Sequence, residues 1–121
     1  MHVHLIFVTK YRRRVFDGDA LDKLRAHFAR VASDFRAERV EMKGERDHVH
    51  LLVNYPPKVP VANLMRSLKG VSSRMLRQER QDIARHYYRG MLWSPSHFVA
   101  SCGRAPLEIT RQYVEQQDRP E

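Results

Sequence analysis

The sequence predicts an α+β fold in which helices cover one face of an antiparallel β-sheet. Short apolar, β-branched runs alternate along the chain with longer segments whose apolar residues recur at helical spacing. The 121 residues, of which 42% are hydrophobic, are enough for one compact core. No glycine-, proline- or serine-rich linker divides them. We therefore predict a single domain over residues 1–121.

The first third of the chain predicts a strand, a basic loop and a helix. Residues 2–8 are apolar and β-branched, as in a buried strand, and four cations follow within residues 10–14. An Asp-Gly-Asp sequence at residues 17–19 can open a helix. Apolar residues at helical spacing then predict a helix from Ala20 to about Arg36.

Two strands, a helix and a further strand follow. Charged and apolar residues alternate over residues 39–43, and residues 48–53 form a second apolar strand after a turn. A proline-rich connector precedes a helix from about Val61, and the charged segment to Tyr88 either extends it or turns away. The last strand is expected around residues 97–100.

The resulting order is β-α-β-β-α-β, followed by a final helix that carries Tyr113 and Gln117 and ends at Pro120. This order is that of the ferredoxin-like, RRM-like fold, with a four-stranded antiparallel sheet and two helices on one face. Strands one and three are central neighbours in such a sheet. Two copies of His-Val-His-Leu, at residues 2–5 and 48–51, are therefore expected to lie close together.

The charge balance favours a polyanionic partner. Lysine and arginine total 22 against 14 acidic residues, a formal net charge of +8. Such a surplus on a small chain favours nucleic acid, and an acidic membrane surface is the second possibility. Cations cluster beside a tyrosine that can stack on a base, and along one helix whose serines can bind phosphate. The predicted DNA-binding residues are Lys10, Tyr11, Arg12, Arg13, Arg14, Lys69, Ser72, Ser73, Arg74 and Arg77.

Other classes of protein are disfavoured. No apolar run approaches the ~20 residues of a membrane span, and the N-terminus lacks the pattern of a secretory signal peptide. The single cysteine, Cys102, excludes an internal disulfide and a multi-cysteine zinc site. We therefore expect a cytoplasmic protein.

His48 and His50 are candidate metal ligands. Residues two apart on a strand point to one face, where two imidazoles can converge on one divalent ion. An exposed polar sheet face is the alternative explanation. Tyr113 and Gln117 are one helical turn apart, and a tyrosine hydroxyl can attack phosphate while an amide oxygen suits Mg²⁺ or Mn²⁺. Packing of Tyr113 in the core is the alternative there.

Several motifs between about residues 5 and 117 resemble those of a known family. The segment 47–53 resembles the HUH motif, two histidines around a bulky hydrophobic residue, and the segment 109–117 is similar to the tyrosine helix of HUH transposases. Stretches 9–13, 68–74 and 92–99 add to the match. The chain thus resembles the single-tyrosine HUH transposases of small bacterial insertion sequences.

The resemblance implies a mechanism and partners. Tyr113 would attack a scissile phosphate of single-stranded DNA and form a covalent 5′-phosphotyrosine link, while His48, His50 and Gln117 would hold one Mg²⁺ or Mn²⁺ ion. Family members bind subterminal DNA hairpins as homodimers, and the tyrosine helix of one subunit often completes the site of the other.

The sequence is compatible with two other functions. A non-catalytic single-stranded nucleic-acid-binding module would share the fold, although an RNP-type strand motif is missing. The repeated His-Val-His-Leu also indicates a phosphoesterase with two histidine motifs, although neither copy carries the hydroxyl residue expected of such enzymes.

Overall fold

The computed structural model describes residues 1–87, 90–95 and 98–101. The strands are β1 (His2–Val8), β2 (Arg39–Gly44), β3 (His48–Asn54) and β4 (Phe98–Ser101). The α-helices are α1 (Gly18–Asp34), α2 (Val61–Glu79) and the short α3 (Gln81–Ala84), and a 3₁₀ turn covers Lys10–Arg12. The predicted β-α-β-β-α-β order is confirmed. The predicted final helix lies outside the described residues.

The four strands form one antiparallel sheet in the order β2-β3-β1-β4. β1 and β3 are therefore the central neighbours, as predicted. Leu5 pairs with Leu51 in their register, so the two His-Val-His-Leu sequences run side by side in opposite directions. This α+β arrangement is the ferredoxin-like one that the sequence predicts.

α1 begins two residues before the predicted start because Asp17 caps it. The Asp17 side chain accepts a hydrogen bond from the Ala20 backbone N–H at 2.9 Å, which satisfies one of the free donors of the first turn. The helix ends at Asp34, and Arg36 just beyond it has a left-handed φ of 60°. The predicted helix is thus confirmed, with boundaries shifted by two residues.

α2 ends at Glu79, and the charged segment after it turns away rather than extending the helix. Arg80 has non-helical backbone angles, and its guanidinium donates to the carboxylates of Asp17, Asp19 and Asp82 at 2.8–3.0 Å. These contacts fasten the end of α2 to the beginning of α1.

The core lies between the helices and one face of the sheet. Alternate residues of β3 are buried there, and so are Val3, Leu5 and Phe7 of β1. The Trp93 ring packs against Phe7 and Phe28, with ring centroids 5.7 and 6.4 Å away. Trp93 is thus a core residue.

No helix in the described part of the chain combines the length and the apolar character that crossing a membrane requires.

Candidate active site

His48 and His50 lie on the same face of β3, as their spacing predicts. Burial alternates along this strand, with the core residues between the more accessible ones. Since the core residues face the helices, the two imidazoles face the opposite side of the sheet. Their partners across β1 are Val8 and Ile6. The geometric condition for a shared metal site, two imidazoles on one face, is met.

A carboxylate orients the first imidazole. His48 Nδ1 lies 2.8 Å from Asp47 Oδ1. This hydrogen bond is the largest cause that lowers the pKa of Asp47, against partial burial, which raises it. An ionised Asp47 accepts the Nδ1–H of His48, so the lone pair of the neutral ring is on Nε2. Ligating histidines in metal sites commonly have such a carboxylate behind them.

The second imidazole contacts a third. His50 Nε2 lies 3.0 Å from Nδ1 of His4, which is 4% exposed. The contact joins the two His-Val-His-Leu copies and results from the register of β1 and β3. Burial is the largest cause that lowers the pKa of His50, followed by the charges of His4 and Lys43, so the neutral ring is favoured. A cation at His50 Nε2 would replace the contact with His4.

The described residues fit part of a metal site. Two imidazoles suit a divalent cation, with water or phosphate oxygens as further ligands. Within residues 1–87, 90–95 and 98–101, no group of three histidine, cysteine or acidic side chains is arranged to hold a metal ion. Gln117, the third predicted ligand, lies outside the described residues, and so does Tyr113.

The described tyrosines differ in access to solvent. Tyr55 and Tyr87 are 6% and 4% exposed, and burial raises the pKa of Tyr87 to about 12. Attack on phosphate needs an accessible phenolate, so both are poor nucleophiles. Tyr11 is 42% exposed. It is therefore the described tyrosine that DNA can reach most easily.

Tyr11 stands on a strained loop beside the histidine strand. Tyr11 and Arg12 have left-handed φ angles of 63° and 52°, which cost about 1–3 kcal/mol each for residues other than glycine. The Lys10 ammonium and the Arg13 guanidinium each lie 5.4 Å from the Tyr11 ring centroid. Arg14 is exposed. An exposed ring flanked by cations is an arrangement that suits an unpaired base and its phosphate.

The basic residues of α2 differ from those of the loop in their contacts. The ammonium of Lys69 donates to the Ser94 carbonyl at 2.8 Å, and burial lowers its pKa. Arg77 Nε donates to the Ser73 hydroxyl at 3.2 Å. Only Arg74, of the α2 residues predicted to bind DNA, is exposed.

The two predicted serine contacts point inward as well. The Ser72 hydroxyl accepts from Trp93 Nε1 at 3.0 Å and donates to the Lys69 carbonyl. The Ser73 hydroxyl accepts from the Leu92 backbone N–H at 3.3 Å. Ser72 is 0% and Ser73 7% exposed. Their placement favours a role in joining α2 to residues 90–95 over a contact with phosphate.

Sequence reasoning did not assign roles to Asp47 or to the contact between Asp47 and Arg12. Arg12 Nε lies 3.6 Å from Asp47 Oδ2. The sequence signal that could have revealed this contact is the predicted antiparallel pairing of β1 and β3. That pairing places the loop after β1 beside the turn before β3. Nothing in the run of cations at residues 10–14 distinguishes Arg12 from its neighbours.

Comparison with known proteins gives a consistent result. A family model described as IS200-like transposase matches residues 1–117. The ISDra2 transposase TnpA of Deinococcus radiodurans is 28% identical over 117 residues, which are 97% of this chain and 84% of that protein. The transposase for insertion sequence element IS200 of Salmonella typhimurium is 29% identical over 94% of this chain and 74% of that protein.

Solved structures are similar too. A Deinococcus radiodurans crystal structure described as that of a transposase superposes with a TM-score of 0.89 at 27% identity, over 100% of this chain and 92% of that one. A REP-associated tyrosine transposase bound to a REP hairpin superposes with a TM-score of 0.59 at 13% identity, over 94% of this chain and 62% of that one. At 13% identity, the similarity to the REP-associated transposase shows a shared fold alone.

Proposed function

The chain belongs to the IS200-like transposase family of DNA-transposition enzymes, and we propose that it cuts and rejoins single-stranded DNA at the ends of an insertion sequence. Tyr113 is the proposed nucleophile, and His48, His50 and Gln117 are the proposed ligands of one divalent cation. The observation that carries the proposal is the pair of imidazoles on one face of β3, with a carboxylate behind His48 and the exposed basic loop beside it.

In the proposed reaction, the hydroxyl oxygen of Tyr113 attacks the scissile phosphorus. A bond forms between the tyrosine oxygen and the 5′ phosphate, and the bond to the 3′ oxygen breaks. The phenol loses its proton, and the leaving oxygen takes one up and becomes a 3′ hydroxyl. Because the phosphotyrosine bond conserves the energy of the phosphodiester, a second 3′ hydroxyl can displace the tyrosine without ATP.

The side chains of the proposed site bind the cation, and their neighbours orient them. Mg²⁺ or Mn²⁺ would neutralise phosphate charge and favour the phenolate. His48 offers its Nε2 because Asp47 holds Nδ1, and His50 offers Nε2 once it leaves His4. Without a cation, a tyrosine of ordinary pKa, about 10, would be largely protonated at neutral pH.

The proposed substrate is single-stranded DNA that carries hairpins near the element ends. The net charge of +8 and the exposed loop around Tyr11 support a nucleic-acid partner. The REP-associated transposase of the same fold is bound to a hairpin. We further propose that residues 1–121 form one domain, that two chains form a homodimer with a shared active site, and that the protein acts in the bacterial cytoplasm.

A denaturing gel tests the nucleophile. Protein, Mg²⁺ and single-stranded DNA containing the hairpins of the element ends are expected to give a covalent protein–DNA adduct. Tyr113→Phe removes one hydroxyl and is expected to abolish the adduct while hairpin affinity stays close to that of the wild type. Tyr11→Phe is the matched control, since it also removes one hydroxyl but keeps the exposed ring, and it should still form the adduct.

A native gel run beside the denaturing gel separates the alternatives. A mobility shift on a native gel with no adduct in Mg²⁺ would favour a nucleic-acid-binding module. Cleavage without an adduct would favour a phosphoesterase. His50→Ala is expected to abolish cleavage and preserve hairpin binding, and unimpaired cleavage by this variant in Mg²⁺ would overturn the metal site.

A further inference from the structure

Arg12 belongs to the basic loop by sequence, but its side chain contacts the turn before β3. The side chains of Arg12 and Asp47 are 24% and 13% exposed, and Arg12 Nε lies 3.6 Å from Asp47 Oδ2. Arg14, two residues further along, is exposed. Two arginines that look equivalent in the sequence therefore have different surroundings.

The backbone of the loop holds Arg12 against Asp47. Tyr11 and Arg12 adopt consecutive left-handed conformations, and the Arg12 N–H donates to the Thr9 carbonyl at 2.9 Å. The Thr9 hydroxyl donates to the Arg13 carbonyl at 2.8 Å, which closes the turn. The Thr9 N–H donates to the Asp47 carbonyl at 2.9 Å. Loop and strand are thus joined through main chain and side chain at the same residue.

The guanidinium has an unusual local environment. Arg12 Nε is one of two buried side-chain nitrogen or oxygen atoms in the described part of the chain that have no hydrogen-bond partner. Its distance to Asp47 is too long for a hydrogen bond but short enough for an ion pair. Buried donors in native proteins seldom lack a hydrogen-bond partner, and the ion pair of Arg12 is with the Asp47 carboxylate.

We propose that Arg12 is a positioning residue for the metal site rather than a DNA contact. It holds the Asp47 carboxylate, which accepts the Nδ1–H of His48 at 2.8 Å and so fixes the ring orientation and the tautomer with the lone pair on Nε2. The inference rests on the proposed function, in which His48 is a ligand. Partners behind a metal ligand typically change metal affinity about 10–100-fold when they are removed.

Mn²⁺ affinity of the full-length protein without DNA tests this role. Free Mn²⁺ is followed by electron paramagnetic resonance in a titration of wild type, Arg12→Gln and Arg14→Gln. The two variants remove the same charge from the same loop. Arg12→Gln is expected to bind Mn²⁺ about 10-fold more weakly, and Arg14→Gln as tightly as the wild type. Arg12→Lys keeps the charge and should recover part of the affinity.

A double-mutant cycle identifies the route of the effect. If Arg12 acts through Asp47, Arg12→Gln adds little further loss of Mn²⁺ affinity in an Asp47→Asn background. Hairpin affinity in EDTA is the second measurement, and Arg12→Gln should lower it no more than Arg14→Gln does. Circular dichroism and thermal unfolding of each variant show that the compared proteins are folded.

The outcomes are distinguishable. Equal Mn²⁺ affinity of Arg12→Gln and Arg14→Gln would overturn the positioning role while the metal site stands. Additive losses in the cycle, or Arg12→Lys as weak as Arg12→Gln, would also overturn it. Wild-type protein without saturable Mn²⁺ binding, or binding that survives His50→Ala, would remove the metal site and this inference together. Should Arg12→Gln fail to fold, the Arg12→Lys and Asp47→Asn variants carry the same comparison.

Discussion

In the loop at residues 9–14, the cations of Lys10 and Arg13 flank an exposed tyrosine ring, and Arg13 also donates to the carbonyl of exposed His86 at 2.7 Å. In α2, by contrast, the cations of Lys69 and Arg77 donate to acceptors inside the protein. Each of the two regions contains four basic residues. The loop leads out of β1 at the end of the sheet where His48 lies. α2 packs on the other face, against α1 and the segment 90–95. We therefore propose that the loop cations bind DNA, whereas Lys69 and Arg77 of α2 stabilise the tertiary structure.

Charge reversal in the loop should have the largest effect on DNA. The double variant Arg13→Glu, Arg14→Glu is expected to weaken hairpin binding on the order of 100-fold at low salt, because two phosphate contacts become repulsive. The slope of log affinity against log salt concentration should become shallower by about 2. Fluorescence anisotropy over a range of KCl concentrations measures both. An unchanged slope would mean that these arginines do not contact phosphate.

Loss of a serine hydroxyl in α2 should affect stability instead. Ser72→Ala leaves the buried Trp93 Nε1–H without its acceptor, and we expect the free energy of unfolding to fall by about 1–3 kcal/mol. Hairpin affinity of the folded protein should not change. Urea unfolding and anisotropy measure the two quantities, with exposed Ser33→Ala as the control. A Ser72→Ala protein of normal stability but reduced DNA affinity would contradict the comparison.

Arg80, just after α2, should make stability depend on pH in the acid range. Its hydrogen bonds are the largest cause that lowers the pKa of Asp17 well below the usual range and that of Asp82 to about 2. Carboxylates with a lowered pKa stabilise the fold above their unfolded pKa, near 3.8, and lose this contribution as pH falls through their folded pKa.

The variant Arg80→Met should therefore flatten the decline of stability between about pH 4 and pH 2. Thermal unfolding across this range, with exposed Arg85→Met as control, measures the difference. Because Asp17 and Asp82 are exposed, solvent screens the pairs, and we expect a modest effect. If the melting temperatures of wild type and Arg80→Met decline in parallel as pH falls, these ion pairs contribute nothing to acid sensitivity.

The smallest effect is expected at Arg74, the exposed basic residue among those predicted on α2 to bind DNA. Arg74→Gln should change the unfolding free energy by no more than about 0.5 kcal/mol, as is usual for surface substitutions. Its effect on hairpin affinity decides whether α2 contacts DNA at all. A loss as large as that of Arg14→Gln would extend the DNA-binding surface from the loop to α2.

Periodicity in the sequence was sufficient for most of the fold. Alternation with period two placed His48 and His50 on one face of β3 without any knowledge of tertiary contacts. Helical spacing predicted α1 and α2, and the element order predicted β1 and β3 as neighbours. The end of α2 stayed open, because helix propensity alone does not show that Arg80 turns towards acidic groups at the start of α1.

The use of each polar group was decided by the tertiary structure. Ser72 and Trp93 are 21 residues apart, and His4 and His50 are 46 apart, so no local pattern reveals their hydrogen bonds. Arg12 and Arg14 contribute the same charge to the same loop, and only tertiary packing brings Arg12 into contact with Asp47. The sequence by itself determined the element order, the shared face of the histidine pair and the surplus of cations. The fold decided which cations remain exposed, because a charged group brought close to a buried acceptor binds it in preference to water.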